Sequence, residues 1–412
     1  MKHSTGQGMS QDPQTSQLRR EANELVRWES CRELWTLREG VVYLNHGAFG
    51  PSPRVVIDEQ QRWRERLESE PAEFYVRHLL DEIERVTKRL GQFVGTSGDN
   101  LILVDNATAA MNIIAASVPL AAGDEVLLSD HDYGAVRRLW SILCDRYCAR
   151  LVVVPINTPL TSAEAIVDAY LAHVTPRTKL AIISHVTSPT ALVLPVERIC
   201  RALRAREITV CVDGPHALAM QPLEIDNLDC DFYTASCHKW LCAPFGTGFL
   251  YAHPRVQPQV RPMLLSWGTP PEGEQGNWRD EFIWLGTRDP SANLSIPAAI
   301  EFIEQLGLER FRERTHAVAQ YARNHLVELT GEPALSPDDS QWYGSMVAIP
   351  LPPGPVRELQ DALWLEAGIE VPVTEWNEQR LLRVSCHAYT QEAEIDQLAG
   401  ALEAILPRLT TN

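Results

Sequence analysis

The chain has 412 residues, 45% hydrophobic and 22% charged, a composition that excludes disorder or a fibrous repeat and leaves room for a large domain with a smaller companion. Its net charge of -17 argues against nucleic acid or anionic membrane as a partner, because both would be repelled by the chain as a whole, and leaves room only for a local basic site. The nine cysteines are odd in number, scattered and without a CxxC pair, so they are expected to be reduced, mostly buried thiols of a cytoplasmic protein and not a disulfide framework or a metal site.

In chain order, the polar start MKHSTGQGMSQDPQTSQ has no apolar signal core, and residues 1–20 are expected to be a disordered lead-in. A helical pattern over Glu21 to Arg38 gives way to the Gly/Pro-rich loop VVYLNHGAFGPSP, and helical spacing resumes from Arg54 to Phe93. The rhythm then changes. Short runs rich in Val, Ile and Leu alternate with helical segments: NLILVDN with ATAAMNIIAAS, DEVLLSD with YGAVRRLWSILCDR, RLVVVPI with AEAIVDAYLAHV, KLAIISHV with VERICRALRAR, and then ITVCVDG. This βαβα alternation predicts an α/β fold with a mainly parallel sheet between helices.

The runs DFYTASCH and GTGFLYA are separated only by KWLCAPF, too short for a crossover, so the second is expected to return antiparallel. The segment Met263 to Asp289 carries Trp267, Trp278 and Trp284 and is expected to be a flap or an oligomer contact. A long helix from about Ser295 to Leu329 follows, then MVAIPLP, a helix around Leu359 to Glu366, LLRVSCH and a terminal helix from Gln391. The expected division is an N-terminal segment 21–62 packing with the small domain, a large domain 63–294 and a small α+β domain 295–412. No run reaches the roughly 18 apolar residues of a membrane helix.

Four pieces carry chemistry. NATAAMN (Asn106 to Asn112) opens a helix after a strand, where free amides and the Thr108 hydroxyl suit a phosphate, although a threonine there is ordinarily only a cap. VDGPHA places Asp213 at the carboxyl end of a strand, the ligand-binding end of such sheets, with His216 three residues on. Its ordinary reading is an acid serving the next turn. SCHK places Lys239 beside an apolar run, where a lysine of lowered pKa can form a Schiff base with an aldehyde. LRVSCH puts Arg383 on a strand of the smaller domain, where it would either grip a carboxylate or make an interdomain salt bridge. Together, a phosphate anchor, a ring-nitrogen carboxylate, a Schiff-base lysine and a carboxylate-gripping arginine are the parts needed by pyridoxal phosphate acting on an amino acid.

The chain resembles the class V branch of fold-type I pyridoxal-phosphate enzymes, in particular the isopenicillin N epimerase-like group, which includes a cysteine S-conjugate-processing, lincosamide-type branch. LNHGAFGPSP, NATAAMN, SDHDYGAV, SHVTSPT, VDGPHA, TASCHKWLCAPFGTGFLY, WLGTRDPSA and LRVSCHAY carry the resemblance from about Tyr43 to the carboxyl terminus. It implies that pyridoxal 5'-phosphate is bound covalently by Lys239, with Asp213 on its ring nitrogen, His216 on its ring hydroxyl and Tyr133 stacked on its face. Ala107, Thr108, Ser236 and His238 would cradle the phosphate. It also implies a homodimer with the site at the interface, where Thr287 reaches the phosphate of the other subunit. Arg383 would hold the substrate α-carboxylate, and Asn45 and His46 would line the entrance.

Two departures shape the expected reaction. Related desulfurases carry a persulfide-forming cysteine ahead of the carboxylate-binding arginine, whereas Gly368 to Arg383 contains none and Cys386 follows it as a packing residue. Where they carry an asparagine on the ring hydroxyl, this chain has SPTA, with Ser188 or Thr190 as the substitute. The reading is therefore chemistry at Cα and Cβ of an S-substituted cysteine, by C–S cleavage or by decarboxylation with oxidative deamination. Epimerisation of an isopenicillin N-type amino acid is the alternative, and desulfurase or aminotransferase activity ranks lower.

Overall fold

The computed structural model describes residues 27–269 and 276–409. The expected lead-in 1–20, the start of the first expected helix and part of the tryptophan-bearing segment lie outside them. The described chain begins with a 3-10 helix, Trp28–Leu34, and runs on extended instead of continuing a helix to Arg38. Trp35 ends it: its buried indole donates to the Pro51 carbonyl at 3.0 Å, drawing the chain onto the following loop. Strand β1 (Val42–Tyr43) precedes helices α1 (Arg54–Ser69) and α2 (Leu79–Val94). These were expected as one helical stretch, but Pro71 has no N–H to continue the first, and a wider helical turn over Phe74–His78 leads into the second.

The βα alternation then runs as expected. It comprises β2 (Leu101–Val104), α3 (Ala107–Ser117), β3 (Glu125–Ser129), α4 (Gly134–Tyr147), β4 (Arg150–Val154), α5 (Ala163–Ala172), β5 (Thr178–Ser184), α6 (Val196–Arg204), β6 (Thr209–Asp213), β7 (Phe232–Ser236) and β8 (Gly248–Ala252). The sheet has seven strands in the order β2-β8-β7-β6-β5-β3-β4. Strand β8 runs antiparallel to both its neighbours, as the short KWLCAPF return requires, and the other pairings are parallel. Strands β2, β3, β7 and β8 are buried along their whole length because helices cover both faces. Alternate residues divide accordingly: Ile102, Val126, Ile182 and Phe232 pack with α3 and α4, while Leu103, Leu127, Ile183 and Tyr233 face the larger core on the other side.

The expected long helix breaks at Gly307, whose positive φ of 79° ends α7 (Ile296–Leu306) and starts α8 (Leu308–Thr330). Strand β9 (Met346–Leu351), helix α9 (Val356–Ala367), strands β10 (Ile369–Glu370), β11 (Val373–Trp376) and β12 (Gln379–Ser385), and helix α10 (Glu392–Ile405) complete the chain. Strands β11-β12-β9 form an antiparallel sheet, and β10 pairs with β1. Thus the segment before α1 is joined to the C-terminal part of the chain, an attachment reinforced by the Arg32–Glu394 ion pair at 3.1 Å. All nine cysteines are free thiols, and only Cys148 is exposed. Among the described residues no helix is long and apolar enough to cross a membrane.

Candidate active site

The parallel strands all end at one edge, and a cleft of about 420 Å3 opens there. Its wall includes Ala107 and Thr108 from α3, Tyr133 ahead of α4, Asp213 at the end of β6 with His216 just beyond it, Ser236 at the end of β7 with His238 and Lys239 just beyond it, and Arg383 from β12. Nine of the twelve residues singled out in the sequence therefore converge. Helix α3 is capped by Asn106, whose side chain accepts from the Ala109 amide at 2.9 Å, and the Ala107 amide donates to Ser236 Oγ at 3.1 Å. The two strand ends come this close because Gly248 lies between them on β8: a Cβ there would stand 2.6 Å from the Ala235 carbonyl and 3.0 Å from Asn106 Cα.

Asp213 is buried and accepts from the Thr234 hydroxyl at 2.9 Å. Burial raises its pKa to about 6, with the nearby Asp132 carboxylate adding to the effect and the Thr234 bond and Lys239 opposing it. The Lys239 side chain is enclosed by protein apart from its opening onto the cleft. Burial, helped by the Arg383 charge and opposed by Asp213, lowers its pKa to about 7. Its Nζ lies 3.3 Å from His216 Nε2. His238 is half-buried, with Nδ1 3.2 Å from the Thr247 carbonyl.

Arg383 is buried with its pKa lowered to about 10 by desolvation. It donates through Nη1 to the Ser188 carbonyl at 2.7 Å and to Ser188 Oγ at 3.2 Å, and its Nε has no partner among the described residues. Ser188 is thus engaged with the arginine. Thr190, the other substitute expected for a ring-hydroxyl contact, is not in the cleft wall; its hydroxyl is 2.7 Å from both His131 Nδ1 and Thr187 Oγ1.

Three expected residues lie elsewhere. Asn45 and His46 do not line the cleft; Gly47, Ala48 and Phe49 of the same loop do. Asn45 turns away to donate to Glu370 Oε1 at 3.0 Å. His46 is fully buried beneath the lysine loop, its Nε2 3.1 Å from the Lys239 carbonyl and its Nδ1 2.9 Å from the Tyr389 hydroxyl. A carbonyl only accepts, so His46 donates through Nε2 and accepts from Tyr389. Burial lowers the His46 pKa to about 3, which keeps it neutral. Gly50 permits this packing, since a Cβ there would fall 2.7 Å from the His238 carbonyl and 2.8 Å from that of Lys239. Thr287 is exposed and borders a different pocket of about 410 Å3 with Arg64, Tyr75 and Arg288.

The sequence reading missed Trp240, which bonds His216, and Ser184 and Thr374, which line the cleft. The Thr374 hydroxyl is buried without a partner among the described residues. A buried His46–Cys242–His387 cluster lies beneath the lysine loop, with Cys242 Sγ 3.4 Å from His387 Nε2 and 3.6 Å from His46 Nε2. It does not suit a metal. The two imidazoles stack at 3.9 Å with planes 16° apart, so no nearby point lies in both ring planes, as joint ligation requires.

An amine that is free near neutral pH, a carboxylate at a strand end, a helix N-terminus with adjacent hydroxyl and imidazole groups, and a buried guanidinium with an unused Nε fit pyridoxal phosphate and an amino-acid carboxylate. Fold and site together define a fold-type I pyridoxal-phosphate enzyme. The chain belongs to the aminotransferase class-V family, whose model matches residues 42–398, and its cofactor is pyridoxal 5'-phosphate. It is 37% identical over 390 residues to isopenicillin N epimerase of Streptomyces clavuligerus, covering 92% of this chain and 98% of that protein. It is 31% identical over 334 residues to a putative L-cysteine desulfhydrase of Oryza sativa subsp. japonica, covering 76% of this chain and 67% of that one. Its fold matches C-DES with glycine covalently linked to the PLP cofactor, at a TM-score of 0.80 and 22% identity, covering 90% of this chain and 98% of the other.

Proposed function

We propose that this enzyme removes the Cα proton of an amino acid and that its substrate is an S-substituted cysteine cleaved between Cβ and sulfur. The observation that carries the first step is the Lys239 amine, brought close to neutrality inside the same cleft as the unpaired arm of Arg383. Lys239 would hold the cofactor, Asp213 its ring nitrogen, and Ala107, Thr108, Ser236 and His238 its phosphate, with His216 and Tyr133 around the ring. When bound, pyridoxal phosphate supplies an electron sink for charge developing at Cα.

Arg383 orients the substrate by its α-carboxylate, as a guanidinium does through paired N–H donors. Lys239, once released from the cofactor, takes the Cα proton as a free amine. The Cβ–S bond then breaks with its electron pair leaving on sulfur, Lys239 returns a proton to the thiolate, and water releases pyruvate and ammonia. The absence of cysteine from 368–383 favours release of a thiol over persulfide transfer. The similarity to a putative L-cysteine desulfhydrase supports a cysteine-type substrate. Epimerisation is the second reading, favoured by the near full-length similarity to isopenicillin N epimerase and by the Tyr133 phenol on the cleft wall as a second proton donor. The exposed Thr287 would contribute to the phosphate site of a second copy in a homodimer, and eight buried free thiols suit the reducing cytoplasm.

The test is incubation with S-alkylcysteines, and separately with isopenicillin N, in heavy water, followed by mass spectrometry. Thiol with pyruvate supports the lyase reading. Deuterated substrate of inverted configuration replaces it with the epimerase, and carbon dioxide with an aldehyde replaces it with decarboxylation and oxidative deamination. A wild-type protein that gains no visible absorbance on reconstitution with pyridoxal phosphate, or a Lys239→Ala variant that keeps that band, would sink the assignment of the lysine.

A further inference from the structure

Trp240 directly follows Lys239, and its indole is fully buried. An indole N–H can only donate, and this one points at His216 Nδ1 from 3.3 Å. Nδ1 must therefore present a lone pair. A neutral imidazole carries a single proton, so the proton sits on Nε2, the atom 3.3 Å from Lys239 Nζ. Burial above all, with the charge of Lys239 whenever its amine is protonated and that of Arg383, keeps His216 neutral, which rules out the doubly protonated ring. An Nε2–H facing an ammonium sets two donors against each other, whereas facing a free amine it makes a hydrogen bond.

We propose that Trp240 is a positioning residue that locks His216 in its Nε2–H tautomer, so that this imidazole selects the free amine of Lys239 over the ammonium. The role rests on Lys239 being the cofactor-bearing residue. After the amine is used, the same N–H remains directed into the cleft as a fixed donor. The charged groups facing the pair are Arg383 from β12 and Asp213 from β6; the arginine favours the free amine and the carboxylate opposes it. The lock comes from geometry that neither of those charges supplies.

The test uses the full-length protein labelled with 15N-histidine, as holoenzyme and after cofactor removal, with the His216 signal assigned by its loss in His216→Gln. The wild type is expected to show a protonated Nε2 and a bare Nδ1 in both states, and Trp240→Phe a mixture of tautomers. A wild-type signal with the proton on Nδ1, or on both nitrogens, overturns the proposal even if the tryptophan variant fails to fold. Cofactor reattachment, followed by the visible band, gives a second measurement. From an amine pKa of about 7, a rise of one unit in Trp240→Phe slows reattachment about fivefold at pH 7 and each further unit roughly tenfold more, with recovery near pH 9. In a His216→Gln background the tryptophan substitution should add nothing; an undiminished effect there would make Trp240 a packing residue only. A failure of the lysine reading is distinct, because it appears as a visible band surviving Lys239→Ala while the tautomer signal stays as described.

Discussion

Arg383 rests on Ser188, through the carbonyl at 2.7 Å and the hydroxyl at 3.2 Å, both of them neutral oxygens. A buried guanidinium held by neutral oxygens is oriented without being neutralised, which leaves its charge available for a carboxylate. Replacing Arg383 with Gln should lower kcat/KM by roughly 30- to 150-fold, the equivalent of about 2–3 kcal/mol for charge-assisted hydrogen bonds. The visible cofactor band should be unchanged. Steady-state kinetics beside absorbance spectra check this, and a lost band with intact KM would count against the role.

Asp213 makes the cofactor-free protein sensitive to pH. Its folded pKa, about 6, lies above the ordinary 3.8, so folding favours the protonated acid. The stability this adds is full below pH 3.8 and is lost as pH rises through about 6. Asp213→Asn should therefore stabilise the cofactor-free form at pH 8 by up to about 3 kcal/mol, with the advantage shrinking toward pH 4. The same variant should bind pyridoxal phosphate more weakly. Thermal unfolding at both pH values, with and without cofactor, measures the two effects.

Thr374 has a buried hydroxyl on the cleft wall with no partner among the described residues. Thr374→Val removes an unsatisfied polar atom at constant shape and should raise stability by about 1 kcal/mol. If the hydroxyl meets the substrate, KM rises in the same variant while cofactor occupancy holds. A stabilised variant with unchanged KM would restrict Thr374 to the scaffold.

Gly50→Ala should strain the lysine loop from outside, because the added methyl meets the His238 and Lys239 carbonyls. The expected cost is about 1–3 kcal/mol, with partial loss of cofactor. Calorimetry and the ratio of visible to protein absorbance test it, and Gly134→Ala, which meets open space, is the control.

Residues at strand ends were legible in the sequence. Asp213, Ser236 and Lys239 follow apolar runs whose burial on both sheet faces sets the chain direction, so their shared edge follows from period and connection length. Arg383 was legible because a charged residue inside an apolar strand needs a reason to be there. The loop after β1 was harder: glycine and proline mark a turn without telling which side chains point out, and His46 proved to be buried while Phe49 faces the cleft. Trp240 reads as one more core aromatic until its only donor is seen to meet His216. The break at Gly307 was visible as a glycine but overruled by the helical spacing on either side.

The loop after β1 also touches the arginine strand. Ser385, two residues beyond Arg383, donates its amide to the Leu44 carbonyl at 2.9 Å and accepts at Oγ from the Gly47 amide at 3.2 Å. His46 of the same loop holds the Lys239 carbonyl. The backbone that carries the arginine and the backbone that carries the lysine are therefore stitched to a common strap. A rigid-body shift of β12 would drag that strap along, so a displacement at the arginine would be passed mechanically to the backbone of the lysine.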